Sequence, residues 1–385
     1  MIRHLVAALT LSCATVFAFA QVSLDATLEA SAKKFKLPAL AAAMVKEGKI
    51  VSIGAVGTRR AGENIPVTLD DRFHIGSDTK AMTALLCAIL VDEGKLRWTS
   101  TVADIFPELA KTMDAGLKKA TLEQLLSHTS GLPTDTDAVW DLIAKSIFQD
   151  GNLDETRYWL IKQIATQPLP NEQGGKMVYS NLGYMMAGAF AEKVVGKTWE
   201  ELIVERIFIP LDLRTAGLGP QASMGRVDAP LGHQEIDGKL KALLAGSNGD
   251  VPSVYGAAGG AHMSVRDFAR WAGWNAGQGK RGPALIKPET FKKLHTMVTI
   301  LPPAPNAAPG TPHGGKYALG WGELAVTWAP YPILYHGGSN SRNLAHVWVD
   351  PKRDVAMVVM SNIATKDANE AFFALAGELY KLFDK

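Results

Sequence analysis

Ser77 and Lys80 stand three residues apart where an apolar extended segment, Phe73-His74-Ile75, passes through Gly76 into a long apolar-periodic run. On a helix this spacing puts both side chains on one face, with Cβ atoms about 5–6 Å apart. A hydroxyl and an amine held in that way form a nucleophile and its proton acceptor. The helix start adds free N–H groups and positive dipole, which favour an oxyanion beside the serine. The same letters fit a plainer reading, with Ser77 as an N-cap and Lys80 as a solvated first-turn residue. A second S-x-x-K, from Ser31 to Lys34, lies on an amphipathic stretch without this context and reads as chance.

Two further groups have types suited to the same chemistry. Tyr179-Ser180-Asn181 precedes another strong helical run. A phenol and an ammonium brought together in a buried site exchange a proton readily, because each holds the charge the other has lost. Such a pair takes a proton from a serine and returns it to a leaving group. The plain alternative makes Tyr179 a half-buried core aromatic and Asn181 a helix cap. The third group, Tyr335-His336-Gly337-Gly338-Ser339-Asn340, falls at the end of a strand. Its glycines permit close approach of a ligand to the backbone. An edge strand there supplies one carbonyl-polarising N–H and the serine's own N–H the other. The alternative is a hairpin corner. G-x-S-x-G, H-E-x-x-H, paired C-x-x-C and G-x-G-x-x-G are absent, and Ala191 breaks a P-loop reading of Gly196-Lys197-Thr198.

The elements that must position these residues are legible in outline. Residues 23–36 read as a helix, followed by a hairpin of Leu40–Lys46 and Lys49–Val56. Residues 77–93 carry Met82, Leu85, Leu86, Ile89 and Leu90 at helical spacing, with Gly94 as terminator. The stretch from about 100 to 290 reads as mostly helical, Leu182–Val195 most clearly. Residues 302–315, with five prolines and three glycines, read as an exposed loop. Three strands, Ile333–Tyr335, Asn343–Val349 and Val355–Met360, then precede a final helix carrying Phe372, Leu375, Leu379 and Phe383. Strand and helix do not alternate, so the fold is α+β. We expect one antiparallel sheet flanked by terminal helices, with a mostly helical inserted lobe and a cleft between the two.

Composition narrows the partners. The 40 basic residues nearly balance the 38 acidic ones among 385, and no basic run supplies a nucleic-acid face. Residues 1–20 form a separate segment: Arg3, then an apolar run of about 16 residues, too short to span a bilayer. It ends in Ala18-Phe19-Ala20, the pattern of a signal peptide cleaved after Ala20. The expected product is one domain over 21–385, periplasmic or secreted, without stable membrane insertion. Cys87 would then be the sole cysteine, leaving no internal disulfide. It reads as core, His128 as structural and Asp78 as a first-turn dipole partner. No histidine shows metal-ligand spacing, and no cofactor is implied.

In this order, the three groups resemble those of the penicillin-recognising serine hydrolases. The likeness is closest to the class C β-lactamase-like branch, which holds family VIII esterases and D-stereospecific peptidases. It extends over nearly all of the mature chain through Phe73–Ser77, Leu122–Leu132, Tyr179–Tyr184 and Leu319-Gly320-Trp321-Gly322. The resemblance implies Ser77 as acylated nucleophile, Lys80 as its proton partner and Tyr179 as general base, then acid. It places Asn181, His336, Gly338 and Ser339 at the substrate, with the N–H groups of Ser77 and Ser339 as the oxyanion hole. One departure matters. Where β-lactamases and transpeptidases of this group carry Lys-Thr/Ser-Gly, this chain has His336-Gly337-Gly338, with no fixed cation and no hydroxyl. That weakens the case for β-lactam turnover and fits the esterase and D-peptidase members. The expected function is an acyl-enzyme hydrolase of short-chain esters or small amides. The alternatives are a D-amino-acid peptidase or weak β-lactamase acting on cell-wall material, and a non-catalytic binder of peptidoglycan-like ligands or scaffold. Oligomeric state is left open.

Overall fold

Period-two alternation along three central strands decides how the molecule is layered. On Ala39–Lys46, residues Ala39, Ala41, Ala43 and Val45 enter one core, while Leu40, Ala42 and Met44 enter another on the opposite face. Leu344–Asp350 and Val355–Ser361 alternate in the same way. A sheet that is apolar on both faces must be covered on both. The helices Asp25–Phe35 and Lys366–Leu382 cover one side, and Val265–Ala276 with the helical lobe covers the other. The row of alanines lets Val265–Ala276 approach closely, to the point that a Cβ on Gly273 would lie 2.6 Å from Val45.

The computed structural model describes residues 21–244 and 250–384, except 302, 305 and 313. The leader expected at 1–20 lies outside the described residues. Among those described, the main sheet has nine strands. From one edge they run Val22–Ser23, Lys49–Gly57, Ala39–Lys46, Val355–Ser361, Leu344–Asp350, Ile333–Ser339, Gly322–Leu324, Gly315–Tyr317 and Thr299–Leu301. Each pairing is antiparallel except that of Val22–Ser23 with Lys49–Gly57. The expected α+β fold is therefore present, with the expected hairpin, late strands and terminal helices at nearly the expected bounds.

Four features differ from the sequence reading. The strand Ile333–Ser339 contains the whole third motif instead of ending before it. Apart from the extended segment at Phe73-His74-Ile75, the outer strands and two small sheets were not foreseen: Arg72–His74 with Ala261–Ser264 and Gly217–Leu218, and the hairpin of Gly232–Ile236 with Lys239–Leu243. Most of these strands are too short to display a period. Thr79–Asp92 is buried all round through Leu90 instead of along one stripe, making it the central helix of the lobe. The proline-rich loop is only partly exposed. Gly310 is buried, and a Cβ there would lie 2.8 Å from the Gly338 carbonyl carbon.

One contact locks the sheet region onto the central helix. Gly320 has φ +81, and a Cβ would meet Ala81 Cα at 2.7 Å and the Lys80 carbonyl oxygen at 3.0 Å. Gly320→Ala combines a backbone clash with an unfavourable conformation, and we expect a loss of about 3 kcal/mol. Calorimetry checks this, and an unchanged melting temperature would refute the lock.

Candidate functional site

The turn that carries Ser77 is built from backbone contacts. Gly76–Asp78 forms a 3-10 turn that runs directly into Thr79–Asp92, and no side chain caps its start. Ser77 is therefore not an N-cap. Gly76 has φ +51, and a Cβ there would lie 2.3 Å from Ser339 N. A Cβ on Gly338 would lie 1.9 Å from the Ile75 carbonyl oxygen and 2.7 Å from Ser77 N. Glycine at both positions lets two backbones touch where any side chain would separate them. The sheet leaves room for this, because Gly322–Leu324 engages only Ile333–Tyr335 of the strand Ile333–Ser339. Beyond Tyr335, that edge of the strand meets the turn that carries Ser77 instead of another strand.

Lys80 is fully buried. Its Nζ lies 3.0 Å from Ser77 Oγ, 2.7 Å from Asn181 Oδ1 and 2.7 Å from the Ala258 carbonyl oxygen. Burial lowers its pKa to about 7, although the negative charges of Asp135 and Asp78 oppose the shift. A neutral amine has two N–H bonds and one lone pair. The two carbonyl acceptors take the N–H bonds, and the lone pair is left for the Ser77 proton. The Gly256–Gly259 turn that supplies Ala258 is pinned to the same helix, with Thr83 Oγ1 donating to the Ala257 carbonyl at 2.7 Å.

Tyr179 and Asn181 come to this point from the helix Asn181–Val195 and the residues before it. The Lys80 ammonium position is 4.8 Å from the Tyr179 ring centre. Burial pushes the Tyr179 phenol well up, while the nearby Ser77 hydroxyl draws it partly back. The hydroxyl is closed off from solvent and makes no well-aligned hydrogen bond among the described residues. His128 holds this segment. Its Nδ1 accepts from the Ser180 N–H at 3.1 Å, and its ring lies 4.4 Å from that of Tyr179. Burial, then the charge on Lys80, keeps His128 well below the usual imidazole range, so it serves as a neutral acceptor.

Asp135 was not foreseen. It accepts from Asn181 Nδ2 at 2.7 Å and from the Tyr255 hydroxyl at 3.1 Å. The first bond orients the Asn181 amide so that its oxygen faces Lys80. In the sequence, nothing separates Asp135 from Asp137 in the same polar loop. The Ala258 carbonyl leaves no trace in residue types at all.

The third motif needs correction. His336 was expected at the substrate, yet its ring is only 1% exposed and both nitrogens are engaged inside the protein. Nδ1 lies 2.8 Å from the Gly337 carbonyl and Nε2 lies 2.9 Å from the Tyr317 hydroxyl. Burial, with Lys80 adding to it, lowers its pKa to about 3, so it is neutral. Gly338 is also buried and builds the contact with Ser77 instead of lining a cleft. Ser339 is half-buried at the strand end, beside the turn that carries Ser77. Asp78 stands at the helix start as expected, but not as an exposed first-turn acid. Its carboxyl is buried without a hydrogen bond among the described residues, and burial raises its pKa well above the usual value. Cys87 is core, as expected, with its thiol pushed up to about 12 by burial.

Comparison with known proteins agrees with this architecture. Protein flp of Staphylococcus aureus (strain MW2) is 22% identical over 348 residues, covering 89% of this chain and 63% of that protein. This chain therefore spans somewhat under two thirds of that relative. Penicillin-binding protein 4 of Amycolatopsis lactamdurans is 26% identical, with 89% and 86% covered. Among solved structures, a D-amino acid amidase from Ochrobactrum anthropi SV3 superposes with a TM-score of 0.72 at 19% identity, covering 93% of this chain and 98% of that one. The octameric penicillin-binding protein homologue from Pyrococcus abyssi gives 0.71 at 23% identity, covering 91% and 76%. Residues 24–378 match the Beta-lactamase family, and this chain belongs to it.

Proposed function

We propose that this protein is a serine hydrolase that cleaves small amides and short-chain esters through an acyl-enzyme on Ser77. The supporting observation is the environment of Lys80: a buried amine of pKa about 7 within 3.0 Å of Ser77 Oγ and 2.7 Å of two carbonyl oxygens, so that its neutral form can turn its lone pair to Ser77. Ser77 attacks the substrate carbonyl as its proton passes to Lys80. The N–H groups of Ser77 and Ser339 receive the oxyanion. Tyr179, held as a neutral phenol, gives its proton to the leaving nitrogen or oxygen and regains one from Lys80. Water then adds to the acyl group, Lys80 accepts its proton, and Ser77 leaves reprotonated. Lys80 is thus the base and Tyr179 the acid. This reverses the opening role for Tyr179 that the family resemblance implied.

The charge pattern favours substrates bearing an amine over those bearing a carboxylate. The third motif offers a buried neutral imidazole and a glycine, neither of which holds an anion. Asp135, half-buried beside Asn181, presents negative charge instead. A D-amino-acid amide or short D-peptide meets that requirement better than a β-lactam. Structural neighbours whose names include D-amino acid amidase and D-stereospecific amidohydrolase give this reading further support. Export with cleavage after Ala20 remains part of the proposal, and no helix among the described residues is long and apolar enough to cross a membrane.

Purified mature protein should release p-nitrophenol from a short-chain ester, and Ser77→Ala should lower the rate about a thousandfold or more. Equal rates in the two proteins would remove Ser77 from the chemistry. The acylation rate should rise with pH through about 7 and then level off, because the working form of Lys80 is the free amine. A profile flat from pH 5 to 9 would exclude Lys80 as base. Asp135→Asn should raise KM for a D-alanine anilide about tenfold while leaving KM for the uncharged ester within twofold. Equal effects on both substrates would refute the amine reading. Amino-terminal sequencing of protein from the native host should begin at Gln21, and retention of Met1 would refute cleavage.

A further inference from the structure

The two turns that present Ser77 and Ser339 touch through glycines. A chain of side-chain hydrogen bonds and one close His74–Asp250 contact, outside the proposed catalytic group, joins them. His74, fully buried on the strand Arg72–His74, accepts from the Gly76 N–H at Nδ1, at 3.0 Å. Its Nδ1 therefore carries no proton, and Nε2 carries the ring hydrogen. Nε2 lies 2.9 Å from Asp250 Oδ1. That same oxygen accepts from Asn340 Nδ2 at 3.0 Å. Asn340 Oδ1 in turn gathers the turn after Ser339, accepting from Arg342 N at 3.2 Å, Asn343 N at 2.9 Å and Asn343 Nδ2 at 3.1 Å. The turn needs such support, because Ser341 sits at φ 69 without being glycine. Although burial works in the other direction, His74 and Asn340 hold the Asp250 carboxyl below its ordinary range, so it remains an acceptor.

We propose that His74, Asp250 and Asn340 are positioning residues that set the distance between the Ser77 and Ser339 N–H groups, and hence the strength of the oxyanion site. None of the three is among the proposed catalytic residues, and Asp250 lies far from both motifs in sequence. The network runs from His74, two residues before Gly76, to Asn340, the residue after Ser339, so losing any link loosens both turns together. An oxyanion site stabilises a transition state more than a bound substrate. A fault in spacing therefore appears in kcat and in affinity for a tetrahedral analogue, with little effect on KM.

This proposal rests on the serine-hydrolase reading for its kinetic consequence, so the test has two parts. In hydrogen-exchange mass spectrometry, peptides covering 74–80 and 336–343 should exchange faster together in His74→Phe and in Asn340→Ala. Exchange across Leu182–Val195 should stay as in the unaltered protein. Faster exchange in only the peptide nearest the substitution would overturn the proposal, whether or not the protein is an enzyme. In the second part, His74→Phe should lower kcat for the p-nitrophenyl ester about a hundredfold with KM within threefold. Affinity for a small alkyl boronic acid should fall by a similar factor, and Asp250→Asn, which keeps an acceptor oxygen, should stay within tenfold of the unaltered protein. A loss confined to KM would overturn it. Absence of Ser77-dependent turnover in the unaltered protein would sink the hydrolase reading instead, leaving the exchange result to decide the network.

Discussion

The burial of one lysine amine organises this molecule. Lys80 lies where a charged ammonium is costly, and the protein surrounds it with two carbonyl acceptors and the Ser77 hydroxyl instead of a close carboxylate partner. A full ion pair would hold the proton on the amine and remove its value as a base. Asp135 and Asp78 act against desolvation without cancelling it, and the balance falls near neutrality. The surroundings share this preference for uncharged forms. His128, His336 and Asp78 are all buried and shifted toward neutrality, and Tyr179 keeps its proton.

Keeping Lys80 dry while leaving Ser77 reachable requires close packing of three chain segments. The central helix is buried around its whole circumference through Leu90, so the lobe encloses it. Its amino-terminal turn then has to meet the sheet edge without intervening side chains. Gly76, Gly338, Gly310 and Gly320 stand at these contacts, each where a Cβ would strike backbone. Strand pairing stops at Tyr335 on that edge, which leaves the rest of Ile333–Ser339 for the turn that carries Ser77. The site therefore lies on a junction of rigid backbones. This explains why its polar network reaches back into Arg72–His74 and forward to Asn343.

The third motif shows how a substitution within one frame changes what the frame can recognise. Gly338 and Ser339 of the strand lie against the turn that carries Ser77, as the proposed oxyanion site requires. His336 turns into the protein toward Tyr317, and Gly337 offers no hydroxyl. The position contributes packing, and under the proposed reading the charge that would meet a substrate belongs to Asp135.

Local patterns in the sequence carried a large part of this. Period-two and helical runs, with glycine terminators, located the hairpin, the late strands and four main helices. Ser77, Lys80, Tyr179 and Asn181 stood out because residue type and nearness to a helix start are local properties. The short strands, the Asp135 bond to Asn181, the Ala258 carbonyl and the inward turn of His336 were not legible. Each depends on segments distant in sequence meeting in space, and a backbone carbonyl or one of several loop aspartates looks the same in letters wherever it lies. The pKa of Lys80 belongs to this second group. Residue type sets where a lysine titrates in water, and only the tertiary packing that removes the water decides where it titrates here.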